Sequence, residues 1–591
     1  MSMLLSYPSL RSLLILCSSA FFLTACSSST EIDHRASPEA ATKRMAKTAQ
    51  HHSNAMISVA NPLAAKTGYD ILRAGGNALD AAIAAQMVLN LVEPQSSGIG
   101  GGGFLLIYDP ATKSVISYDG RETAPHLADE YLFINKDGKK MKFFEAAVGG
   151  RAVGTPGLVQ MLDTAHQQFG QMNWPDLFDD AISLSRNGFA VSERLHMLTA
   201  KDKFLKADPV ARRYFYQPND QPHPVGTLLK NPALAHSLSL IQKYRSKGFY
   251  EGPLAQDMVT KVKNHPTNPG QLSLNDLRQY KAKQRAALCN SYRIYNVCGM
   301  APPSSGGLTV LEILGLIEHY DLNNDPKPEI DRDHLLLEAS KLAFADRNHF
   351  IADPDFVKVP VKQLLSKSYL SERQTLIRHN SSLATPVTPG GPFLFSHYAP
   401  HDQDHGISTT HMSIIDENGM VVSITTSIEN AFGSRQMIGG FLLNNQLTDF
   451  SFAPAKNGQL IANRVEAGKR PRSSMAPTIV LDQKNKRPVL AIGSPGGSRI
   501  IGYVTQSLIH ILDQNMALDK AIAKGHLTNR NGSSDLEQGT DAENLEEKLE
   551  QLGHTVTLKP MVSGLHAIQV HKDGSLTGAA DPRREGIVLG Y

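Results

Sequence analysis

The chain has 591 residues, 41% of them hydrophobic and 19% charged, with a formal net charge of +3. That much apolar material builds a large core and excludes the disordered and fibrous classes. The small net charge, with no dense block of Lys or Arg, excludes a nucleic-acid partner.

The first 25 residues read as an export leader: Arg11 supplies a positive charge, Leu13 to Leu23 form an apolar run, and Leu23-Thr24-Ala25-Cys26 follows. A run of about 11 residues is short of the roughly 20 that a membrane-spanning helix needs. Leu-Thr-Ala-Cys is similar to a bacterial lipobox, which implies cleavage before Cys26, a lipid on its sulfur, and a mature protein anchored to a membrane of the periplasm or cell envelope. The alternative is an ordinary secretory leader with an incidental cysteine. Losing Cys17 with the leader and lipidating Cys26 leaves Cys289 and Cys298. In an oxidising compartment these either form a disulfide or remain two buried thiols, and neither reading makes them catalytic.

Residues 26–54 carry Ser, Ala, Thr and charge without a hydrophobic period, so a flexible tether is expected there, with order from Ala55. Asn77 caps an almost wholly apolar stretch, Ala78 to Val92, interrupted by Asp80, Gln86 and Asn90; this predicts a buried helix. Phe104 to Tyr108 and Val115 to Tyr118 predict a strand pair around Asp109-Pro110. Helices follow at Leu158 to Phe169, at Pro232 to Tyr244 behind Asn231, and at Asp333 to Asp346. After Pro389-Gly390-Gly391 comes a polar, turn-rich stretch, then strands at His411 to Ile415 and Met420 to Ser427. Near the end, Leu545, Leu549 and Leu552 mark a helix stopped by Gly553, with strands at Thr555 to Leu558 and His566 to Val570. Mixed helices and antiparallel strands give a layered α+β class.

Asn418-Gly419 between the two strands is a strong hairpin signal. With Glu417-Asn418-Gly419 as a three-residue loop, Asp416 pairs with Met420, Thr409 faces Ser427, and Glu429 shares that face by the period-2 rule. A threonine hydroxyl is a poor nucleophile without a base, and one solution is its own free α-amine, with an ordinary pKa of about 8. That amine exists only at a chain terminus. An internal Thr409 therefore needs the Ser408–Thr409 bond broken first, by attack of its Oγ on the Ser408 carbonyl, an N→O acyl shift and ester hydrolysis.

Ser408-Thr409-Thr410-His411 resembles the start of the small subunit of the γ-glutamyltransferases. The likeness continues through Phe432-Gly433, Leu443-Asn444-Asn445-Gln446, Asp449-Phe450, Lys469-Arg470-Pro471, Ser473-Ser474-Met475, Gly493 to Arg499 and Asp581-Pro582-Arg583. Gly75-Gly76-Asn77-Ala78, Gly100 to Phe104, Arg121-Glu122 and Pro302 to Gly307 also fit. The resemblance implies a four-layer αββα sandwich of the N-terminal-nucleophile hydrolase type, with no cofactor and no metal. It implies a large subunit, 55–408 behind the leader and tether, and a small catalytic subunit, 409–591. Substrates would be glutathione and other γ-glutamyl compounds, with the glutamyl group passed from a Thr409 ester to water or to an amino acid or peptide.

In that reading Arg121, Ser473 and Ser474 take the substrate α-carboxylate, Asp449 and Gln446 take the α-ammonium, and Gly496 and Gly497 offer amides to the oxyanion. Glu429 stands where many members have asparagine, and Ser427 where threonine is usual; Glu429 would contact the substrate ammonium or the Thr409 amine. Ser451 to Gly468 is shorter than in members with a full lid and lacks a tyrosine, so a well-closed lid is not expected. The rivals are a cephalosporin or glutaryl acylase of the same fold and a lipid-anchored solute-binding protein.

Three further signals carry no function. Gly98 to Gly103 satisfies G-x-G-x-x-G, but a strand-like run follows where a dinucleotide site needs a helix. His401 and His405 with Asp402 and Asp404 have a metal-like composition but read as a solvated loop before the cut. Ser305 lacks the leading glycine of a nucleophile elbow, since Pro303 stands there.

Overall fold

A hairpin lies at the centre of the first of two large sheets in the computed structural model, which describes residues 44–322, 331–391, 398–401 and 408–591. The leader and Cys26 lie outside those residues. Gly419 adopts φ +84°, Asp416 N–H donates to Met420 O at 3.2 Å, and Gly419 N–H donates to Asp416 O at 3.0 Å, so the expected three-residue loop forms. Its strands are Ser408–Ile415 and Val421–Glu429. Their register runs from Thr410 opposite Thr426 to Ile415 opposite Val421, as the loop dictates.

This hairpin is flanked by Met56–Val59 and Ile587–Gly590 on one side and by Gly102–Asp109, Ser114–Gly120 and Lys283–Ala286 on the other, all antiparallel. A second seven-stranded antiparallel sheet, from Gln50–His52 to Leu288–Tyr292, stacks against it. Met412, Ile414, Val422 and Ile424 point from the hairpin into the core beneath the first helical layer, while His411, Ser413 and Ser423 reach toward the second sheet. There Ser413 Oγ donates to His566 O at 3.0 Å and Thr478 N–H donates to Ser423 Oγ at 3.1 Å. Strand alternation thus sorts apolar and small polar residues onto two faces that are both buried.

Helices Pro62–Arg73, Ala78–Val92 and Leu158–Phe169 cover the first sheet, and Gly306–Ile317 and Ile500–Leu512 cover the second, giving four αββα layers. Ala78–Val92 is buried throughout and begins with a capping box between Asn77 and Asp80. Its polar residues find partners on the neighbouring elements: Thr426 Oγ1 donates to Gln86 Oε1 at 2.8 Å, and Ile99 N–H to Asn90 Oδ1 at 2.7 Å, while Asn90 Nδ2 has no partner among the described residues. No helix among the described residues is long and apolar enough to cross a membrane.

Three expectations need adjustment. The framework begins before Ala55: Gln50–His52 pairs with Leu576–Ala580, and Met45 N–H donates to Pro582 O at 2.9 Å. Lys47 gives the reason, since its ammonium donates to the carbonyls of Asp581, Arg584 and Gly586 at 2.9, 2.5 and 2.5 Å. The helix expected to end at Asp346 runs from Arg332 to Phe350, because Arg347 is buried by bonds of its own rather than solvated. The C-terminal helix is shortened to Glu546–Gln551 after a 3₁₀ turn, although Leu549 is buried as the stripe requires. Cys289 and Cys298 face each other across adjacent antiparallel strands and are joined by a disulfide, with Cα atoms 4.0 Å apart.

Candidate active site

Thr409 falls in a bulge. Ser408 pairs with Glu429 and Thr410 with Thr426, so Thr409 has no direct partner and the face-to-face pairing with Ser427 expected from the loop is replaced by an irregular step. The hydroxyls still meet. Thr409 Oγ1 donates to Ser427 Oγ at 3.4 Å, Ser427 Oγ donates to the Ser408 carbonyl at 2.6 Å, and Glu429 N–H donates to Ser427 Oγ at 2.9 Å. Ser408 Oγ is tied to Gln95 O at 2.7 Å, and an Arg584 N–H reaches the Thr409 carbonyl at 3.4 Å. The bond between Ser408 and Thr409 is therefore held rigidly, with a donor already on its carbonyl oxygen.

The glycine run set aside as a cofactor loop supports this arrangement. A Cβ on Gly101 would lie 2.1 Å from Ser427 O, and one on Gly103 would lie 2.7 Å from Thr425 O. Only glycine lets the neighbouring strand approach the hairpin so closely. His411 of the Thr-Thr-His motif is also structural: its ring bonds Thr425 Oγ1 at 2.8 Å and Ser413 Oγ at 3.1 Å between the sheets, and burial pushes it down to about 3.

Thr409 and Ser427 line a polar cavity that opens to solvent. Arg121, Glu429, Gln446, Asp449, Ser473, Ser474 and Gly497 line it too, so these sequence-selected residues converge from five segments of the chain. Gly496 precedes Gly497, and their φ values of +139° and +56° are ones that L side chains rarely adopt. Sequence reasoning missed Arg472, Met475, Ser498 and Ile500 in the lining. Arg472 sits beside the quoted Lys-Arg-Pro and Ser-Ser motifs, which was the available signal.

Arg121 and Asp449 touch each other. Arg121 Nη2 meets Asp449 Oδ2 at 2.5 Å, and Gln446 Nε2 donates to the same oxygen at 2.8 Å. Arg121 is fully buried and anchored by the carbonyls of Pro471 and Arg472, both at 3.0 Å. A cation and an anion this close complement a group that carries both charges on one carbon, as an α-amino acid does.

Glu429 is buried at φ +80°, a conformation that costs a non-glycine residue about 1–3 kcal/mol. Asn445 Nδ2 donates to its Oε2, and Oε1 has no protein partner. Burial, then the charge of Asp449, pushes its carboxyl well above the usual range. Glu122, 3.7 Å from Arg121, is pushed up to about 8 by burial.

Among the described residues, His334, Glu338 and His554 are spaced like metal ligands. Their atoms are occupied: the His334 and His554 rings bond each other at 2.7 Å, His554 bonds Ser534 Oγ at 3.0 Å, and Lys341 Nζ donates to Glu338 Oε1 at 2.6 Å. A cation on that carboxylate makes the group a satisfied polar network. His401 is buried, with Asn463 Nδ2 at 3.2 Å from its Nδ1. Asp402, Asp404 and His405 lie outside the described residues.

Two stacked antiparallel sheets between helical layers, with a strand-borne threonine over a polar cavity, define an N-terminal-nucleophile hydrolase fold. The structure of cephalosporin acylase from Bacillus halodurans has this fold, with a TM-score of 0.80 over 93% of this chain and 98% of that one at 24% identity. The gamma-glutamyltranspeptidase family model matches residues 64–591. Glutathione hydrolase proenzyme of Bacillus subtilis (strain 168) is 35% identical over 559 residues, 90% of this chain and 91% of that protein. Acylase ACY 1 proenzyme of Pseudomonas sp. (strain V22) is 34% identical over 544 residues, 90% of this chain and 93% of that one. The chain belongs to the γ-glutamyltranspeptidase family of enzymes. Because the two identities are nearly equal, the choice of substrate rests on the site.

Proposed function

We propose that the chain is a precursor that cuts itself between Ser408 and Thr409 and then moves the γ-glutamyl group of glutathione and related compounds to water or an amine acceptor. The observation that carries this reading is the ring of contacts from Thr409 Oγ1 through Ser427 Oγ to the Ser408 carbonyl, at the edge of a cavity holding Arg121 and Asp449. In maturation Thr409 Oγ attacks the Ser408 carbonyl carbon, and its proton ends on the departing nitrogen. The C–N bond breaks and an ester forms. Water cleaves that ester, leaving a Ser408 carboxylate and a Thr409 amine.

In turnover the new amine accepts the Oγ proton while Oγ attacks the γ-carbonyl carbon of the substrate. The oxyanion faces the Gly496 and Gly497 amides, the leaving amine takes the proton, and water or an acceptor amine resolves the ester. Ser427→Ala removes the donor from the scissile carbonyl and is expected to slow self-cleavage about 10²-fold, measured as the rate of conversion from one band to two. Unchanged cleavage would remove Ser427 from the mechanism.

The acid side of the site favours γ-glutamyl over glutaryl substrates, since Asp449, Gln446 and Glu429 offer oxygens to an ammonium that a glutaryl group lacks. Comparing a γ-glutamyl anilide with the matching glutaryl anilide tests this. Faster turnover of the glutaryl compound would favour the acylase reading. The raised Glu429 carboxyl is neutral at low pH and ionises as pH rises through its shifted value, so ammonium binding tightens and KM falls over that interval. In Glu429→Gln that limb of the KM–pH profile should be flat; a limb that persists assigns it elsewhere.

Leu23-Thr24-Ala25-Cys26 supports export and lipid attachment at Cys26 in the cell envelope. Incorporation of labelled fatty acid, lost in Cys26→Ser, tests that part.

A further inference from the structure

We infer that Arg347 is a positioning residue for the carboxylate end of the substrate: acting through Ser305 and Ser474, it fixes how the Ser473–Ser474 segment presents its donors to the cavity. The inference rests on the γ-glutamyl reading and adds to it a part of the molecule that the mechanism above does not use.

Arg347 lies in the last turn of helix Arg332–Phe350 and is 1% exposed. Its Nε donates to Ser305 Oγ at 2.8 Å, its Nη2 to Ser474 Oγ at 2.6 Å, and its Nη1 to Asn348 Oδ1 at 2.9 Å. A guanidinium has donors only, so both serine oxygens must accept from it. Each serine then has to aim its own proton away from the arginine. Ser305 spends its proton on Ser473 O at 2.6 Å, and its backbone N–H reaches the same carbonyl at 2.7 Å. Ser474 lines the cavity, and its proton is the one left to point there.

Backbone geometry works in the same sense. The C=O and N–H of a trans peptide point in opposite directions. Two bonds holding the Ser473 carbonyl toward Ser305 therefore turn the Ser474 N–H to the other side. Ser473 N–H donates to Pro303 O at 3.0 Å and Ser304 Oγ donates to Met475 O at 2.6 Å, so residues 303–305 run alongside 473–475 as a brace. This gives the Pro302 to Gly307 stretch a task that its sequence alone did not show. The planar fork of Arg347 is what spans the two serines. A lysine in its place would supply a point charge without the fork that reaches two hydroxyls.

The test compares wild type, Arg347→Met, Arg347→Lys and Ser305→Ala on a γ-glutamyl anilide and on 4-aminobutyryl anilide, the same acyl group without its α-carboxylate. Self-cleavage, read as two bands on a denaturing gel, should proceed in every variant, since it involves no substrate. For Arg347→Met, kcat/KM on the γ-glutamyl compound should fall at least 30-fold, mostly through KM, and that on the decarboxylated compound less than 3-fold. Arg347→Lys should recover little of the loss. Ser305→Ala should show the same selectivity at about 5- to 10-fold, and it stands in for the arginine variants if they fail to fold. Equal losses on both compounds, or an unchanged KM, would overturn the inference. A wild type inactive on the γ-glutamyl anilide would instead overturn the proposed function, so the two failures are distinguishable.

Discussion

Thr409→Ala is expected to remain a single chain and to lose γ-glutamyl transfer by a factor on the order of 10⁴–10⁶, the scale seen when a nucleophile is removed. Both effects follow from one oxygen. Without Oγ nothing attacks the Ser408 carbonyl, so the backbone stays joined and no α-amine forms; without Oγ there is also nothing to acylate. The fold should survive, because the bulge places Thr409 outside the regular ladder and its neighbours pair without it. A denaturing gel, a thermal melt and an anilide assay read the three outcomes. Thr409→Ser keeps the attacking oxygen and should still cut itself. A fully active, uncut alanine variant would end the account.

Asp449→Ala has the next largest expected effect, a fall of about 10²–10³-fold in kcat/KM on γ-glutamyl substrates with self-cleavage intact. Truncating one partner of a fully buried ion pair costs about 3–5 kcal/mol because the other charge is stranded, and the partly exposed Asp449 places this pair below that range. Here the stranded group, Arg121, keeps two backbone carbonyls and a 3.7 Å approach to Glu122, so part of that cost is absorbed and the protein should remain folded. The remainder falls on binding: the substrate ammonium loses its carboxylate, and the Arg121 fork loses the neighbour that orients it. Steady-state kinetics with both γ-glutamyl and glutaryl anilides reads the effect. A γ-glutamyl-specific loss agrees with the proposed subsite, whereas an equal loss on the glutaryl compound would remove Asp449 from ammonium recognition.

Much of this was legible in the sequence, for identifiable reasons. Ala78–Val92, Leu158–Phe169 and Pro232–Tyr244 appear with the expected ends, because an Asn or Gly at the start and a change of texture at the finish are local signals. The hairpin register was readable from Asn418-Gly419, since loop length fixes pairing. The bulge at Thr409 was not. It depends on Ser408 being drawn toward Gln95 and on Glu429 turning to positive φ, both tertiary effects.

Site residues named from motif resemblance line one cavity, except Gly496, which only adjoins it through Gly497, yet the direct contact of Arg121 with Asp449 joins residues 328 apart in sequence. No periodicity encodes such a contact. Arg347 and Lys47 were missed for a shared reason: a lone basic residue reads as solvated, and only the fold shows which carbonyls and hydroxyls surround it.

If the chain makes its own catalytic amine at Thr409, N-terminal sequencing of the shorter fragment of purified wild type reads that new terminus. The expected sequence is Thr-Thr-His, with activity rising in step with the appearance of that fragment. A fragment beginning at any other residue, or full activity in protein that is still one chain, would contradict it.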